Sequence, residues 1–286
     1  MVSIDPCRLY DRDRYKVVDQ VSQTTKRFTI ARCENCGLVY VRETYDEISP
    51  DYVHLADADI DASQIWLQGK HKEPAFRQFL KIIKQLRPQW ITGTLKPRLL
   101  DVGCGTGGFL AFISEFFAVY GFDASAAQAE YARKMFPEVR RAASATEYVA
   151  LLGCPEIKFD VITLWDVLEH IRRPIEFMND LVAYLDSSGL IYISTPNANT
   201  MVIKSTLARF YWPGFDWAPQ EHVAYYSPST LRFLFAKLGL RVLRIGSTAV
   251  YPRPFSAFEV FRRMGFAVTA WFPKWAPQIY AFAGRL

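Results

Sequence analysis

The stretch Arg98-Leu-Leu-Asp-Val-Gly-Cys-Gly-Thr-Gly-Gly-Phe109 decides the fold of this chain. Its apolar start predicts a buried strand, and its glycines predict a tight loop that leads into a helix over residues 109–117. In an open parallel sheet, such a loop lets the backbone approach a bound ligand closely. The stretch therefore predicts an α/β domain with a small-molecule site at the end of its first strand.

The sequence on either side of this stretch alternates between short apolar runs and helical stretches, as crossover-connected parallel sheets do. Further strands are predicted at 118–122, 159–164, 190–194 and 241–246, with a last antiparallel strand at 278–283. Helices are predicted at 73–86, from Ser125 to 136, from Pro174 to 185, and from the Ser227-Pro228 cap to Gly239. The fold class is a doubly wound, mostly parallel, Rossmann-like sheet.

The glycine pattern itself is ambiguous between two kinds of cofactor. It reads as Gly-x-Gly-x-Gly or as the dinucleotide fingerprint Gly-x-Gly-x-x-Gly, and Asp123 at the end of the second strand suits a ribose in either case. Asp101 favours S-adenosylmethionine, because a carboxylate stabilises its ammonium and sulfonium charges but repels a pyrophosphate. An NAD-dependent oxidoreductase is the disfavoured alternative.

Five stretches of the sequence resemble the class I S-adenosylmethionine-dependent methyltransferases, and within them a bacterial group with a cysteine-bearing N-terminal segment. The resemblance spans about residues 95–247. It rests on the glycine stretch, Tyr120-Gly-Phe-Asp-Ala-Ser125, Phe159-Asp-Val-Ile-Thr-Leu-Trp-Asp-Val-Leu-Glu-His170, Gly189-Leu-Ile-Tyr-Ile-Ser-Thr-Pro-Asn197 and Glu221-His-Val-Ala-Tyr-Tyr-Ser-Pro-Ser-Thr-Leu231. One departure is Asp186-Ser-Ser-Gly189, where the family has a Pro-Gly-Gly-like turn.

The resemblance implies a set of residues that bind the cofactor. The methionine end would meet Asp101, Gly103 and Gly105, the ribose would meet Asp123, and the adenine edge would meet Ala124. Trp165 would lie beside the cofactor after the fourth strand, and Cys104 and Asp166 complete the set. Cys104 and Cys154 are interpreted as small space-filling residues, not as nucleophiles.

Two histidines are candidates for catalysis, and each leaves an alternative open. The spacing of Asp166, Glu169 and His170 predicts that they share one face of a helical turn. They are either structural groups or a base or metal site. Similar runs bind a divalent metal in ubiquinone-pathway and small-RNA methyltransferases. His222 lies in an aromatic-rich segment that would form either a substrate-binding lid or a packed loop. His54 and His71 are expected at the surface.

Cys33-Glu-Asn-Cys36 is half of a zinc ribbon. A structural zinc site takes four ligands, typically from two such halves. The first half reads Cys7-Arg-Leu-Tyr10, so one thiolate is missing. Either His54 or another group completes a structural zinc site with Cys7, Cys33 and Cys36, or the ribbon has lost its metal.

Composition and charge narrow the class of protein further. Half of the 286 residues are hydrophobic and 22% are charged, which predicts a folded domain. The five cysteines form no even-numbered framework and the N-terminus lacks a signal-peptide pattern, so we expect a cytoplasmic protein. The net charge is +5, and most of it lies in the tail from 251 to 286, which has five basic residues and one acidic residue. The rest of the chain is therefore nearly neutral, so no nucleic-acid partner is expected.

The predicted organisation has three parts. Residues 1–50 form a zinc-ribbon-like segment, residues 51–95 a helical lead-in, and residues 96–286 the methyltransferase domain, with an aromatic lid at 198–226 and an aromatic and basic insertion at 251–276. Residues 255–275 would either contact an anionic membrane face peripherally or pack as a helical insertion.

The predicted function is methyl transfer from S-adenosylmethionine to a small-molecule, glycan-like or lipid-linked acceptor, at a hydroxyl oxygen. Besides the oxidoreductase, the alternatives are a nucleic-acid methyltransferase and a non-catalytic binding scaffold. The acceptor's identity and the oligomeric state stay open.

Overall fold

The computed structural model describes residues 2–4, 7–9, 14–23, 25–45, 62–211, 217–248 and 276–285. Its strands are β1 (Val2–Ile4), β2 (Tyr15–Gln23), β3 (Lys26–Cys33), β4 (Val39–Val41), β5 (Glu43–Tyr45), β6 (Arg98–Val102), β7 (Ala118–Asp123), β8 (Val139–Arg141), β9 (Phe159–Trp165), β10 (Leu185–Pro196), β11 (Ala224–Tyr225), β12 (Arg241–Ser247) and β13 (Gln278–Gly284). Its helices are α1 (Ala62–Leu86), α2 (Gln89–Thr92), α3 (Gly108–Ile113), α4 (Ala126–Arg133), α5 (Ala145–Leu152), α6 (Pro174–Ala183), α7 (Ala198–Tyr211) and α8 (Pro228–Lys237), with a 3₁₀ turn at Leu168–His170.

The central sheet has seven strands in the order β12-β13-β10-β9-β6-β7-β8. The five strands from β10 to β8 run parallel, whereas β13 is antiparallel to both of its neighbours. The predicted fold class is therefore confirmed, including the antiparallel last strand. Strand β8 was not predicted, because a three-residue strand that contains two arginines has no apolar run.

The helix ends follow local signals in the sequence. The Ser125 hydroxyl accepts a hydrogen bond from the Gln128 amide at the start of α4, and Ser227 forms a capping box with Thr230 at the start of α8. The predicted helix at 73–86 begins earlier, at Ala62, with Pro74 in its interior. Its first part was not predicted because residues 62–72 lack apolar helical periodicity.

An aromatic cluster anchors α1 on one face of the central sheet. Phe76 and Phe109 each have ring centroids 5.0 Å from that of Trp165, and Tyr192 lies 4.5 Å from the same ring. All four side chains are buried. Edge and tilted contacts of this kind add to the free energy of apolar burial. The cluster therefore fixes the position of helix α1 relative to the end of β9.

The N-terminal segment forms a second sheet that includes a strand from the methyltransferase part of the chain. The order of this sheet is β11-β4-β3-β2, so the fourth strand is supplied by Ala224–Tyr225. A buried cluster that includes Phe28, Val39 and Trp217 joins the two parts, and the Trp217 indole donates to Asp19 at 3.0 Å. The N-terminal segment therefore packs directly against the segment that follows β10.

Candidate active site

A cavity of about 590 Å³ opens at the carboxyl ends of β6, β7 and β9. Ligands bind in this position in open α/β sheets. All ten residues predicted for the cofactor and for catalysis line the cavity: Asp101, Gly103, Cys104, Gly105, Asp123, Ala124, Trp165, Asp166, His170 and His222. Tertiary structure thus brings together residues that are up to 121 positions apart in the chain.

Gly103 shows why the loop after β6 requires glycine. Its φ is +66°, a left-handed conformation that other residues rarely adopt. A Cβ at this position would also lie 2.7 Å from a methyl carbon of Val167. A side chain here would therefore strain the loop and push it away from the segment after β9.

Asp101 is a buried acid at the base of the cavity. Its side chain is 2% exposed and accepts a hydrogen bond of 2.7 Å from the Thr163 hydroxyl. Burial raises the pKa of Asp101 to about 7, although the Thr163 bond and the charge of Lys72 oppose this shift. A buried carboxylate is stabilised by a nearby cation, so this position suits the ammonium of an amino-acid group.

Asp123 connects the glycine loop with the start of α4. One carboxylate oxygen accepts from the Gly105 amide at 2.8 Å and the other from the Ser125 amide at 2.9 Å. Burial raises the pKa of this carboxyl above its usual range. Cys104, beside it, is buried, and burial raises the pKa of its thiol, which supports its interpretation as a space-filling residue.

Lys72 reaches the cavity from α1 and was not found by sequence reasoning. Its ammonium lies 2.9 Å from a carboxylate oxygen of Asp166, and the other oxygen accepts from Gln278 and, at 3.4 Å, from the Ser194 hydroxyl. No motif marks Lys72, because it precedes the amphipathic part of its helix. The site therefore contains a cation close to Asp101.

The acidic run after β9 does not form the single helical face that its spacing predicts. Asp166 has a φ of +56° and turns toward Lys72, and helical structure begins only at Leu168. Glu169 is 1% exposed; one oxygen accepts from Thr195 at 3.0 Å, and the other has no hydrogen-bond partner among the described residues. Burial raises the pKa of Glu169.

His170 and His222 lie side by side, with ring centroids 4.9 Å apart. His170 Nδ1 lies 2.9 Å from the Glu221 carbonyl oxygen, which can only accept a hydrogen bond. Burial lowers the pKa of His170, so its neutral form is favoured. Ligand atoms of Glu169, His170 and His222 lie within 4.8 Å of one another, so this trio, and not the run with Asp166, is the compact set of donors.

The three predicted zinc ligands also converge. The sulfurs of Cys7, Cys33 and Cys36 lie within 4.8 Å of one another, and those of Cys7 and Cys36 are 3.4 Å apart. The hydrogen bond between these two thiols raises the pKa of Cys7 and lowers the pKa of Cys36. No fourth ligand joins this cluster within the described ranges, and both Tyr10 and His54 lie outside them.

Protein purified without chelator is expected to contain about one zinc ion per chain, because three clustered sulfurs form most of a structural site. Cys36→Ser should lose the metal, whereas Cys154→Ser, at an exposed cysteine far from the cluster in sequence, should retain it. Elemental analysis measures both. A metal-free wild-type protein would mean that the ribbon is stabilised by packing alone.

The doubly wound sheet, with an acid and a glycine loop at the end of its first strand, defines an S-adenosylmethionine-dependent methyltransferase of class I. The chain belongs to the family described as "Methyltransferase domain", whose profile matches residues 71–245. S-adenosylmethionine is its cofactor. The resemblance stated from the sequence is thus confirmed for the family, while the group with a cysteine-bearing segment stays a prediction.

Named relatives and a solved structure agree with this family. The chain is 25% identical over 222 residues to a ubiquinone biosynthesis O-methyltransferase of Coxiella burnetii, covering 73% of this chain and 90% of that one. It is 32% identical over 130 residues to the protein of that name from Actinobacillus pleuropneumoniae, covering 41% of this chain and about half (55%) of the relative's length. The solved structure of the plantazolicin methyltransferase BamL, with a desmethylplantazolicin analogue and S-adenosylhomocysteine, matches this chain with a TM-score of 0.51 at 17% identity. The match covers 83% of this chain and 95% of BamL, and it shows a shared fold.

Within the described ranges, none of the helices combines the length and the apolar character needed to cross a bilayer. The aromatic and basic stretch at 255–275 lies outside those ranges, so the peripheral membrane contact stays a prediction.

Proposed function

We propose that the enzyme methylates a hydroxyl oxygen of a small-molecule or glycan-like acceptor. The observation that carries this proposal is the pair of imidazoles, His170 and His222, in the wall of the cavity that also contains the glycine loop. Transfer to a hydroxyl requires a group that removes its proton, and imidazole is suited to this near neutral pH. The relatives named as O-methyltransferases support an oxygen acceptor.

In the proposed cofactor arrangement, the charged methionine end lies between an acidic and a basic side chain. Asp101 receives the ammonium, Lys72 receives the carboxylate, and Gly103 and Gly105 permit the close backbone approach. Asp123 bonds the ribose hydroxyls, and Ala124 borders the adenine. The charges support this order, because Asp101 offers a negative charge to the ammonium and Lys72, which also pairs with Asp166, offers a positive charge to the carboxylate.

The proposed step is an in-line displacement at the methyl carbon. The acceptor oxygen forms a bond to this carbon as the carbon–sulfur bond breaks, and the electron pair of that bond goes to sulfur to leave neutral S-adenosylhomocysteine. The hydroxyl proton passes to His222. The enzyme supplies mainly proximity and orientation, which are worth about 7–11 kcal/mol in favourable systems. Trp165 and Phe76 form part of the apolar lining of the cavity.

Glu169, His170 and His222 also suit a second mechanism, in which they bind a metal ion. The Glu169 oxygen without a partner and the two imidazoles would hold a divalent cation that binds and acidifies the acceptor hydroxyl. Chelator treatment separates the two mechanisms, because a histidine base needs no metal ion. Because chelation would also remove zinc from the cysteine cluster, a loss of turnover favours the metal-assisted form only where Mg²⁺, which thiolates bind poorly, restores it.

Acceptor screening tests the proposal. Purified enzyme with methyl-labelled S-adenosylmethionine is incubated with phenols, sugars and lipid-linked hydroxyl compounds and, separately, with nucleic acid, and the labelled product is identified by NMR. A methyl ether is the expected product. A product methylated only on carbon or nitrogen would reject the hydroxyl acceptor, and labelled nucleic acid would favour the alternative class of substrate.

Lys72→Met is expected to weaken S-adenosylhomocysteine binding about 10–100-fold, the equivalent of one charge-assisted hydrogen bond. Binding of 5′-methylthioadenosine, which lacks the amino-acid group, should change little. Calorimetric titration of both ligands measures the difference. Lys81→Met, at an exposed position on the same helix, is the matched control. Equal weakening of both ligands would contradict the carboxylate role.

A further inference from the structure

The described residues of the cysteine-bearing N-terminal segment, between 7 and 45, are hydrogen-bonded to residues that closely follow each of the two histidines in the chain. Strand β4 pairs with β11, two residues after His222. The Val41 amide donates to the Val223 carbonyl at 3.1 Å, and the Val223 amide donates to the Glu169 carbonyl at 2.9 Å. Val223 therefore connects the N-terminal sheet with the residue that precedes His170.

Arg8 makes a second connection to the same place. Its two terminal nitrogens donate to the carbonyl oxygens of Arg172 and Val41, each at 3.2 Å. Arg172 lies two residues after His170, and Val41 is the residue that bonds Val223. A planar guanidinium can span two carbonyls in a fixed geometry, which a flexible ammonium cannot do.

The cysteine cluster determines where Arg8 lies. Arg8 follows Cys7 directly, and the Cys7 sulfur is 3.4 Å from that of Cys36. The turn that contains Cys33 and Cys36 leads into β4, with hydrogen bonds from the Cys33 amide to Leu38 and from the Gly37 amide to Cys33. The cluster and the Arg8 bridge are thus parts of one hydrogen-bonded unit.

His222 is held from the other side as well. Its main-chain amide donates to the Ala218 carbonyl at 2.8 Å, and the neighbouring Glu221 carbonyl lies 2.9 Å from His170 Nδ1. These two contacts hold the backbone beside His222 and one ring nitrogen of His170. Asp101 and Asp123 instead bond the Thr163 hydroxyl and the Gly105 and Ser125 amides, within the central sheet and its loops.

We propose that the N-terminal segment positions His170 and His222 for methyl transfer, with Arg8 as the positioning residue, so that turnover depends on this segment and cofactor binding does not. The inference rests on the proposed function, in which an imidazole accepts the acceptor's proton. A displacement of about 1 Å at a catalytic group can lower a rate about 10²-fold. The segment therefore acts on the reaction through the backbone, without contact to the reacting atoms.

The test compares Arg8→Met with Arg14→Met in the full-length protein. Arg14 lies next to β2, is largely exposed and pairs only weakly with Glu34, so it is the matched control. Arg8→Met should lower kcat about 10²-fold while the S-adenosylhomocysteine affinity stays within about twofold of wild type. Arg14→Met should leave both unchanged. Arg8→Lys, which keeps the charge but not the planar fork, should restore little of the rate.

A second readout needs no acceptor. The imidazole resonances of His170 and His222, assigned by single His→Gln variants, should shift in Arg8→Met and stay in place in Arg14→Met. Unchanged imidazole resonances, or a loss of kcat that merely parallels a loss of cofactor affinity, would overturn the positioning role. If Arg8→Met does not fold, Arg8→Lys carries the same measurements. Full activity of His222→Ala and His170→Ala would instead reject the proposed function and leave the resonance result intact.

Discussion

His222→Ala lowers turnover about 10²–10⁴-fold on the identified acceptor, the range typical for loss of a general base. The S-adenosylhomocysteine affinity and the melting temperature stay close to wild type, because the His222 side chain lies at the cavity wall and its backbone bonds do not need the imidazole. Single-turnover rates, calorimetric titration and thermal melting measure the three quantities. The effect is therefore confined to the chemical step.

His170→Ala is the comparison variant. It should lower both turnover and melting temperature, because its imidazole bonds the Glu221 carbonyl and fills a largely buried position. Wild-type turnover in His222→Ala would reject His222 as the base. His170 with Glu169, acting directly or through a metal, would then be the remaining candidate, and restoration of chelator-treated enzyme by Mg²⁺ would decide between these two.

Asp101→Ala weakens S-adenosylhomocysteine binding by about 1.5–3 kcal/mol, since a charge-assisted hydrogen bond is lost. Asp123→Ala is expected to weaken it by a similar amount through the ribose. Asp186→Ala, near the start of β10 and outside the cavity lining, is the matched control and should bind as wild type does. Calorimetric titration measures all three. An unchanged affinity in Asp101→Ala would contradict its assignment to the ammonium.

The buried Asp101 carboxyl is expected to make the cofactor affinity depend on pH. Burial raises the pKa of Asp101 to about 7 in the free enzyme, so below that pH the carboxyl is protonated. The cofactor's ammonium pairs with the ionised carboxylate, so binding below this pKa releases a proton from Asp101. The cofactor affinity therefore rises by up to about tenfold per pH unit until the pH exceeds the pKa. Asp101→Asn should remove this part of the dependence. An identical slope in that variant would assign it to another group.

Local signals explain why so much of the central sheet could be predicted. The strands β6, β7 and β9 each appear as an apolar run, and the Ser125 and Ser227 caps mark helix starts within a few residues. The cofactor residues were predicted from the resemblance, whose motifs lie at or just after the ends of these strands. Long-range contacts explain the errors: α1 continues through Pro74, and Asp166 turns toward Lys72 instead of joining a helical face.

The sequence alone indicated the α/β fold, through its apolar runs and glycine loop, and favoured S-adenosylmethionine through Asp101, while the resemblance of five stretches indicated the family. Only the tertiary structure decided that Lys72 enters the cavity, that His170 and His222 lie 4.9 Å apart, and that the N-terminal sheet takes β11 as its fourth strand. Each of these contacts joins residues more than 50 positions apart. Their approach depends on how packed helices and sheets share one core, and no local pattern of residues encodes that distance.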